Sequence, residues 1–208
     1  MIRMFKYRPS WSERIKEAIR PTPMKRRLNN AIHRISVQMR RMDSQTNRLQ
    51  SREKNLYTKC VGAIQAKDSM KASMYADECA EIRKMVLNTL KSQMALERVS
   101  LKLTRVRDFG ELAYNMTSVG AIMKQIKDGI QNIMPEISME LTNVNETLHS
   151  ISLEIGEVTE QTIDYDVPTE ESEKIMKEAA LLAEQKMQER FPDMPKIPSP
   201  EPDSSVQD

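Results

Sequence analysis

Hydrophobic residues recur along most of the chain at alternating spacings of four and three, the pattern of amphipathic helices that bury one stripe. The first long run begins behind Thr22-Pro23, a capping hydroxyl followed by proline at the first helical position. A helix of about 40 residues is about 60 Å long, which is typical of a helical hairpin or a coiled coil. The stripe positions are Leu28, Ile32, Ile35, Met39, Met42, Thr46, Leu49, Glu53, Leu56, Cys60 and Ala63.

A second long run follows a predicted turn and cap at Asp68-Ser69, and Gly110 predicts its end. Because neither helix can leave its stripe in water, and the short turn makes them neighbours, we predict an antiparallel hairpin of residues 24–65 and 70–108. The second apolar face consists of Tyr75, Cys79, Ile82, Val86, Leu90, Met94, Leu96, Leu101 and Leu103.

A third run is interrupted at Pro135, and its stripe resumes there slipped by one residue. Such a slip at a proline predicts a kink or joint between two helices. Gly120 and Gly129 each weaken a helix by about 1 kcal/mol relative to alanine, so we expect this segment to be able to bend or to exist in two arrangements. The stripe positions are Leu112, Met116, Val119, Met123, Ile126, Ile130 and Ile133, then Ile137, Leu141, Val144, Leu148, Ile151, Ile155 and Val158.

The pattern divides the chain into four parts. Residues 1–21 form a basic amphipathic segment with Trp11, Ile15 and Ile19 on one face, and residues 22–158 form the helical core. Residues 159–190 form an acidic linker and a last helix capped by Thr169, with Ser172 departing from the reciprocal capping pattern. Residues 191–208 carry five prolines between positions 191 and 202, which predicts a disordered, extended tail free of the helical body.

Composition agrees with an all-α fold in which a long antiparallel hairpin is followed by shorter helices. The 208 residues include 16 Met but only 5 Gly, and aromatic residues make up 4%. Sheet proteins are richer in aromatic and β-branched residues. Few aromatics also argue against one thick globular core, and favour paired helices that each bury one stripe.

The net charge of +2 conceals a strong asymmetry. Residues 1–110 contain 25 Lys/Arg and 10 Asp/Glu, a net of +15, whereas residues 111–208 contain 7 and 20, a net of −13. Unlike halves favour pairing within one molecule or between copies. We therefore predict self-association, in which the two halves neutralise each other within one molecule or between molecules in a polymer.

The basic half predicts an anionic partner. Each Lys or Arg near an anionic membrane contributes about 1 kcal/mol, and the segment around Trp11 would add shallow insertion. Nucleic acid is the competing partner because the same charges would bind phosphates, but no recognition motif favours it. The candidate membrane-binding cations of the first long helix are Lys25, Arg26, Arg27, Arg34, Arg40 and Arg41.

Candidate enzyme chemistry is absent from the sequence, which has no GxxxxGK[ST], GxGxxG, GxSxG or HExxH motif. His33 and His149 lack neighbours at metal-ligand spacing and are interpreted as helix-surface residues; Cys60 and Cys79 are interpreted as reduced packing residues. No apolar run approaches the roughly 18 residues that span a bilayer. We predict a cytoplasmic protein that is not an enzyme, with no cofactor, metal or small-molecule substrate.

The tail contains a short apolar strip inside an acidic segment. Its residues are Met194, Pro195, Ile197, Pro198 and Pro200. Extended proline-rich strips dock into grooves at a low ordering cost. The strip is therefore a candidate binding motif, with simple disorder as the alternative.

The basic hairpin, the segment Tyr75-Ala76-Asp77-Glu78-Cys79-Ala80 followed by Glu81-Ile82-Arg83-Lys84, and the acidic rear half resemble an ESCRT-III protein. The resemblance covers about residues 20–190, and more narrowly the chain is similar to the archaeal CdvB cell-division proteins. The resemblance implies a cytosolic subunit that polymerises, alone or with paralogues, on the inner face of the membrane and drives constriction and scission. It also implies disassembly by an AAA ATPase (CdvC-like) whose MIT domain binds the proline-rich strip. A coiled-coil scaffold or nucleic-acid-binding protein is the alternative.

Overall fold

A computed structural model describes residues 23–109, 116, 118–160, 165 and 167–195. Within these residues the chain is helical with short connections, which confirms the predicted all-α fold of a long hairpin followed by shorter helices. The described helices are α1 (Pro23–Gln65), α2 (Ser69–Phe109), α3 (Val119–Ile130), α4 (Pro135–Thr159) and α5 (Glu170–Arg190).

The turn between α1 and α2 is set by two adjacent residues. Lys67 adopts a left-handed conformation (φ 57°), and the N–H of Asp68 donates to the carbonyl of Ala63 at 2.9 Å, which ends α1. The carboxylate of Asp68 then accepts the backbone N–H of Lys71 at 3.0 Å and starts α2. Hydrogen bonding to Lys71 also holds the pKa of this carboxyl below its ordinary value. The predicted turn and cap are confirmed.

The two long helices pack antiparallel over nearly their full length. Near the turn, the thiol of Cys60 contacts the carbonyl of Ala72 at 3.4 Å. At the opposite end, Nη1 of Arg107 donates to Oδ1 of Asn29 at 3.2 Å. The predicted hairpin is confirmed, with helix ends within one residue of the expected ones; Gly110, the predicted stop, lies outside the described residues.

The remaining helices cover both long helices. Helix α4 packs along α1, α5 packs along α2, and α3 contacts α2, α4 and α5. Pro135 starts α4 directly after the turn that follows α3, so the predicted joint between two helices is confirmed.

All five helices contribute to a main core that includes Ile35, Leu103, Ile126 and Leu141. A separate small core consists of Leu56, Cys79, Ile82, Val86, Leu90, Ala183 and Phe191.

The start of α5 corrects one expectation. Thr169 and Ser172 form a reciprocal cap, in which the Ser172 N–H donates to Oγ1 of Thr169 at 3.1 Å and the Thr169 N–H donates to Oγ of Ser172 at 2.9 Å. The prediction that Ser172 departs from this pattern is wrong, because a serine hydroxyl accepts the same hydrogen bond as a glutamate. Glu170, Glu171 and Glu173 in the first turn add a favourable interaction with the helix dipole.

Candidate functional site

The candidate membrane-binding cations of α1 fall into two groups. Lys25, Arg26, Arg40 and Arg41 have exposed side chains. Arg27 and Arg34 are half-buried and pair with acidic residues of α4. The pairs are Arg27–Glu154 and Arg34–Glu140, each with a nitrogen–oxygen distance of 2.8 Å. Four of the six cations are therefore available to a surface in this arrangement.

Trp11, Ile15 and Ile19, the other candidate membrane-binding residues, lie outside the described residues. Their proposed insertion into lipid stays a prediction.

Two further ion pairs join the basic and acidic halves across α2 and α5. Nζ of Lys102 lies 2.5 Å from Oε1 of Glu171, and Arg98 lies 3.5 Å from Glu178. The Lys102 side chain is only 8% exposed, whereas Arg98 is 48% exposed. Exposed pairs contribute about 0–1 kcal/mol, so Lys102–Glu171 is the energetically important member. The acidic half thus neutralises part of the basic half within one molecule.

A buried ion pair crosses the hairpin near the small core. Arg83 Nε donates to Oε1 of Glu53 at 2.6 Å, and the Glu53 side chain is 3% exposed. The guanidinium of Arg83 also lies over the ring of Phe191, 5.2 Å from its centroid, within the range of a cation–π interaction. The sequence placed Glu53 on the buried stripe but gave no indication of its partner. A charged residue at an apolar stripe position is the signal that could have prompted the search for one.

The beginning of the tail packs on the hairpin at the same place. Phe191 is 9% exposed. The amide of Gln50 donates to the carbonyl of Arg190 at 3.5 Å, and the hydroxyl of Tyr57 donates to the carbonyl of Asp193 at 3.4 Å. The expectation of a tail wholly free of the helical body is wrong for these first residues, because the phenylalanine ring is buried between the helices.

Only part of the candidate ATPase-binding strip is described. Met194 is partly buried against the small core, and Pro195 is half-buried. Ile197, Pro198 and Pro200 lie outside the described residues. The role of all five stays a prediction.

Tyr165, in the acidic linker, makes contacts with α3 and α4 that the sequence did not predict. It is 3% exposed, its hydroxyl donates to Oδ1 of Asn145 at 2.9 Å, and its ring stacks on that of His149 at 5.2 Å. A Cβ on Gly120 would lie within 2.6 Å of the Tyr165 ring and would also collide with its backbone carbonyl. Gly120 therefore permits close approach of the linker, rather than only weakening the helix as expected.

The cysteines and histidines occupy the predicted positions. Cys60 and Cys79 are buried free thiols, and His33 and His149 are exposed on helices. Burial, followed by the nearby charge of Glu53, raises the pKa of Cys79 to about 11. Among the described residues, no cluster of three or more His, Cys, Asp or Glu side chains could hold a metal ion. No helix in that part of the chain is both long and apolar enough to cross a bilayer.

Comparison with known proteins supports the resemblance seen in the sequence. The Snf7 family model matches residues 30–202. "Cell division protein B1" of Sulfolobus acidocaldarius is 37% identical over 173 residues, covering 83% of this chain and 81% of the relative. "Cell division protein B" of the same organism is 32% identical over 176 residues, covering 83% of this chain and 67% of the relative. No solved structure shows significant similarity. The chain belongs to the Snf7 family, that is, to the ESCRT-III proteins, and it is similar to their CdvB-type members.

Proposed function

We propose that this chain is a non-enzymatic subunit of a polymer that remodels membranes during archaeal cell division. The subunits would assemble, alone or with paralogues, into filaments or rings on the inner face of the cell membrane and constrict it until scission. The family and the names of the two relatives support a role in division. The observation that carries the membrane proposal is the row of exposed cations on α1, formed by Lys25, Arg26, Arg40 and Arg41.

The ion pairs between the two halves suggest how assembly is controlled. Arg27, Arg34 and Lys102 pair with acidic residues of the same molecule. If these cations exchange their acidic partners for the same residues of another copy, the number of ion pairs does not change. The exchange therefore costs little free energy compared with breaking the ion pairs. The described arrangement then corresponds to the unassembled subunit.

An AAA ATPase with an MIT domain would disassemble the polymer by binding the proline-rich strip. Met194 and Ile197 would supply apolar anchors, and Pro195, Pro198 and Pro200 would pre-set the extended backbone and so reduce the entropy lost on binding. Burial of two such side chains contributes about 3–5 kcal/mol. Many tails on one filament would raise the apparent affinity through multivalency.

Co-sedimentation with liposomes tests the membrane proposal. The chain should sediment with vesicles that contain phosphatidylserine, and much less with pure phosphatidylcholine vesicles, and added salt should weaken binding. Reversing Arg40 and Arg41 to Glu should weaken binding by at least roughly thirtyfold, because two cations contribute about 2 kcal/mol. The matched control reverses two exposed cations of α5, Lys174 and Lys177, and should bind as the native chain does.

Two outcomes would count against this function. Salt-insensitive binding to neutral vesicles would contradict the electrostatic mechanism. A gel shift with duplex DNA at salt concentrations where anionic vesicles do not bind would favour the nucleic-acid alternative.

A further inference from the structure

The end of the hairpin at the α1–α2 turn carries a net positive charge. We define the hairpin tip as residues 58–76. Lys59, Lys67 and Lys71 are exposed on it, and Asp68 is its single carboxylate. Nζ of Lys71 lies 2.8 Å from Oδ2 of Asp68, so this acidic charge is already compensated. The tip therefore presents cations to an anionic surface without an unpaired carboxylate that would repel it.

Two methionines make the same tip apolar. Met70 is 83% exposed and Met74 is 49% exposed, and they lie one helical turn apart on α2. Across the turn, Val61 and Ile64 of α1 are half-buried. Moving an exposed apolar side chain from water into an apolar phase is favourable, and unbranched methionine side chains adapt to an irregular surface. The tip thus combines exposed ammonium groups with exposed apolar side chains.

The backbone of the turn satisfies its own hydrogen-bond donors. The N–H groups of Ala66, Lys67 and Asp68 donate to carbonyls of α1 at 3.0, 3.0 and 2.9 Å. Burial of an unpaired backbone N–H group costs free energy, and these three groups avoid that cost. A Cβ added at Gly62 would meet no atom within 4 Å, so the space beside the turn is open. The turn can therefore approach a less polar phase without rearrangement.

We propose that the hairpin tip is a second membrane contact, in which Met70 and Met74 insert at the level of the lipid headgroups and the three tip lysines bind anionic headgroups. This inference rests on the proposed membrane function and adds to it a defined point of insertion. Lysine stems lie along apolar surface while their ammonium groups reach charged partners, and each lysine near an anionic membrane contributes about fivefold to affinity. The tip also continues the exposed basic face of α1.

An environment-sensitive fluorophore (NBD) on Ser73→Cys reports whether the tip enters the bilayer. Ser73 is exposed between the two methionines in sequence, and the native cysteines are buried. On vesicles that contain phosphatidylserine, the emission should shift to shorter wavelength, and nitroxides on the acyl chains should quench it. The matched probe on Ser44→Cys lies one turn after Arg40 on the exposed face of α1. It should be quenched only by nitroxides on the headgroups.

Co-sedimentation measures what the two methionines contribute. Met70→Ser combined with Met74→Ser should weaken binding to the same vesicles at least about tenfold, because two apolar side chains no longer leave water. It should also return the Ser73 probe to its aqueous emission. The matched control, Met85→Ser combined with Met139→Ser, changes two exposed methionines outside the tip and should bind as the native chain does. All four substitutions leave the net charge unchanged, so the electrostatic attraction is equal in both variants.

The outcomes separate this inference from the proposed function. A chain that sediments with anionic vesicles while the Ser73 probe keeps its aqueous emission overturns tip insertion and leaves the membrane function supported. A chain that does not sediment overturns both. A shift of the probe that appears without vesicles as the protein concentration rises assigns the tip to a second copy of this chain, and it too overturns the proposal.

Discussion

The buried ammonium of Lys102 lies 2.5 Å from the carboxylate of Glu171, so a residue of α2 is neutralised by the first turn of α5. The Ser118 hydroxyl also donates to Glu171, at 3.1 Å. These contacts hold the acidic end of the chain against the basic hairpin. Lys102 and Glu171 are thus specific side chains through which the basic and acidic halves of the sequence attract each other.

Glu171→Gln should lower the free energy of unfolding by about 1–3 kcal/mol, because it removes the carboxylate that compensates a buried cation. The neighbouring Glu170 is exposed, so Glu170→Gln is the control and should change stability by no more than about 0.5 kcal/mol. Urea unfolding measures both. Equal effects of the two substitutions would show that the ion pair does not hold α5 in place.

Gly120→Ala and Gly129→Ala should have opposite effects although both glycines lie in α3. A Cβ at position 120 would overlap the Tyr165 backbone, whereas one at position 129 would meet Oγ of Ser92 at an ordinary 3.5 Å. Gly129→Ala should therefore stabilise the protein by about 0.5–1 kcal/mol through helix propensity. Gly120→Ala should destabilise it, because the linker must move. Thermal unfolding of the two variants decides the matter, and a stabilising Gly120→Ala would refute the close approach.

Both cysteines should react with a thiol reagent only when the protein opens. The thiolate is the reactive form of cysteine, and the pKa of Cys79 is raised to about 11. About one Cys79 side chain in a thousand is therefore a thiolate at pH 8, and the side chain is also buried. Ser44→Cys adds an exposed thiol as an internal control and should label at once. Rapid labelling of native Cys79 would contradict its burial.

The same raised pKa has a consequence for stability. The folded state holds the Cys79 proton more tightly than the unfolded chain does. The protonated thiol therefore contributes fully to the free energy of unfolding below the ordinary thiol pKa, and this contribution is lost as the pH rises toward 11. Cys79→Ala should lessen the alkaline loss of stability, as urea unfolding at pH 8 and pH 10.5 would show.

The sequence predicted the helices well because their determinants are local. Pro23, Asp68 and Pro135 mark starts of helices, and the spacing of apolar residues identifies the buried face of each one. The polar positions on the first stripe were informative too, since both Thr46 and Glu53 are buried.

Contacts between distant segments could not be predicted in the same way. Tyr165 against Gly120, and Phe191 against Arg83, join residues whose separation in sequence carries no periodic signal. A phenylalanine directly after a charged helix, in a chain with only 3 Phe, was the available indication that the tail begins by packing on the hairpin. The sequence therefore predicted the ends of the hairpin helices to within one residue, but it did not predict the contacts at the candidate interaction surfaces.

Removal of α5 tests most directly whether pairing within the molecule restrains assembly. A chain that ends at Val158 loses Glu171 and Glu178, the partners of Lys102 and Arg98, and a control that ends at Pro195 keeps them. Negative-stain electron microscopy of both, at matched concentration and salt on anionic vesicles, should show regular filaments for the shorter chain and far fewer for the control. Regular filaments distinguish assembly from aggregation of the exposed α2 face. A shorter chain that stays monomeric where the full chain assembles would contradict the proposal that α5 restrains the polymer.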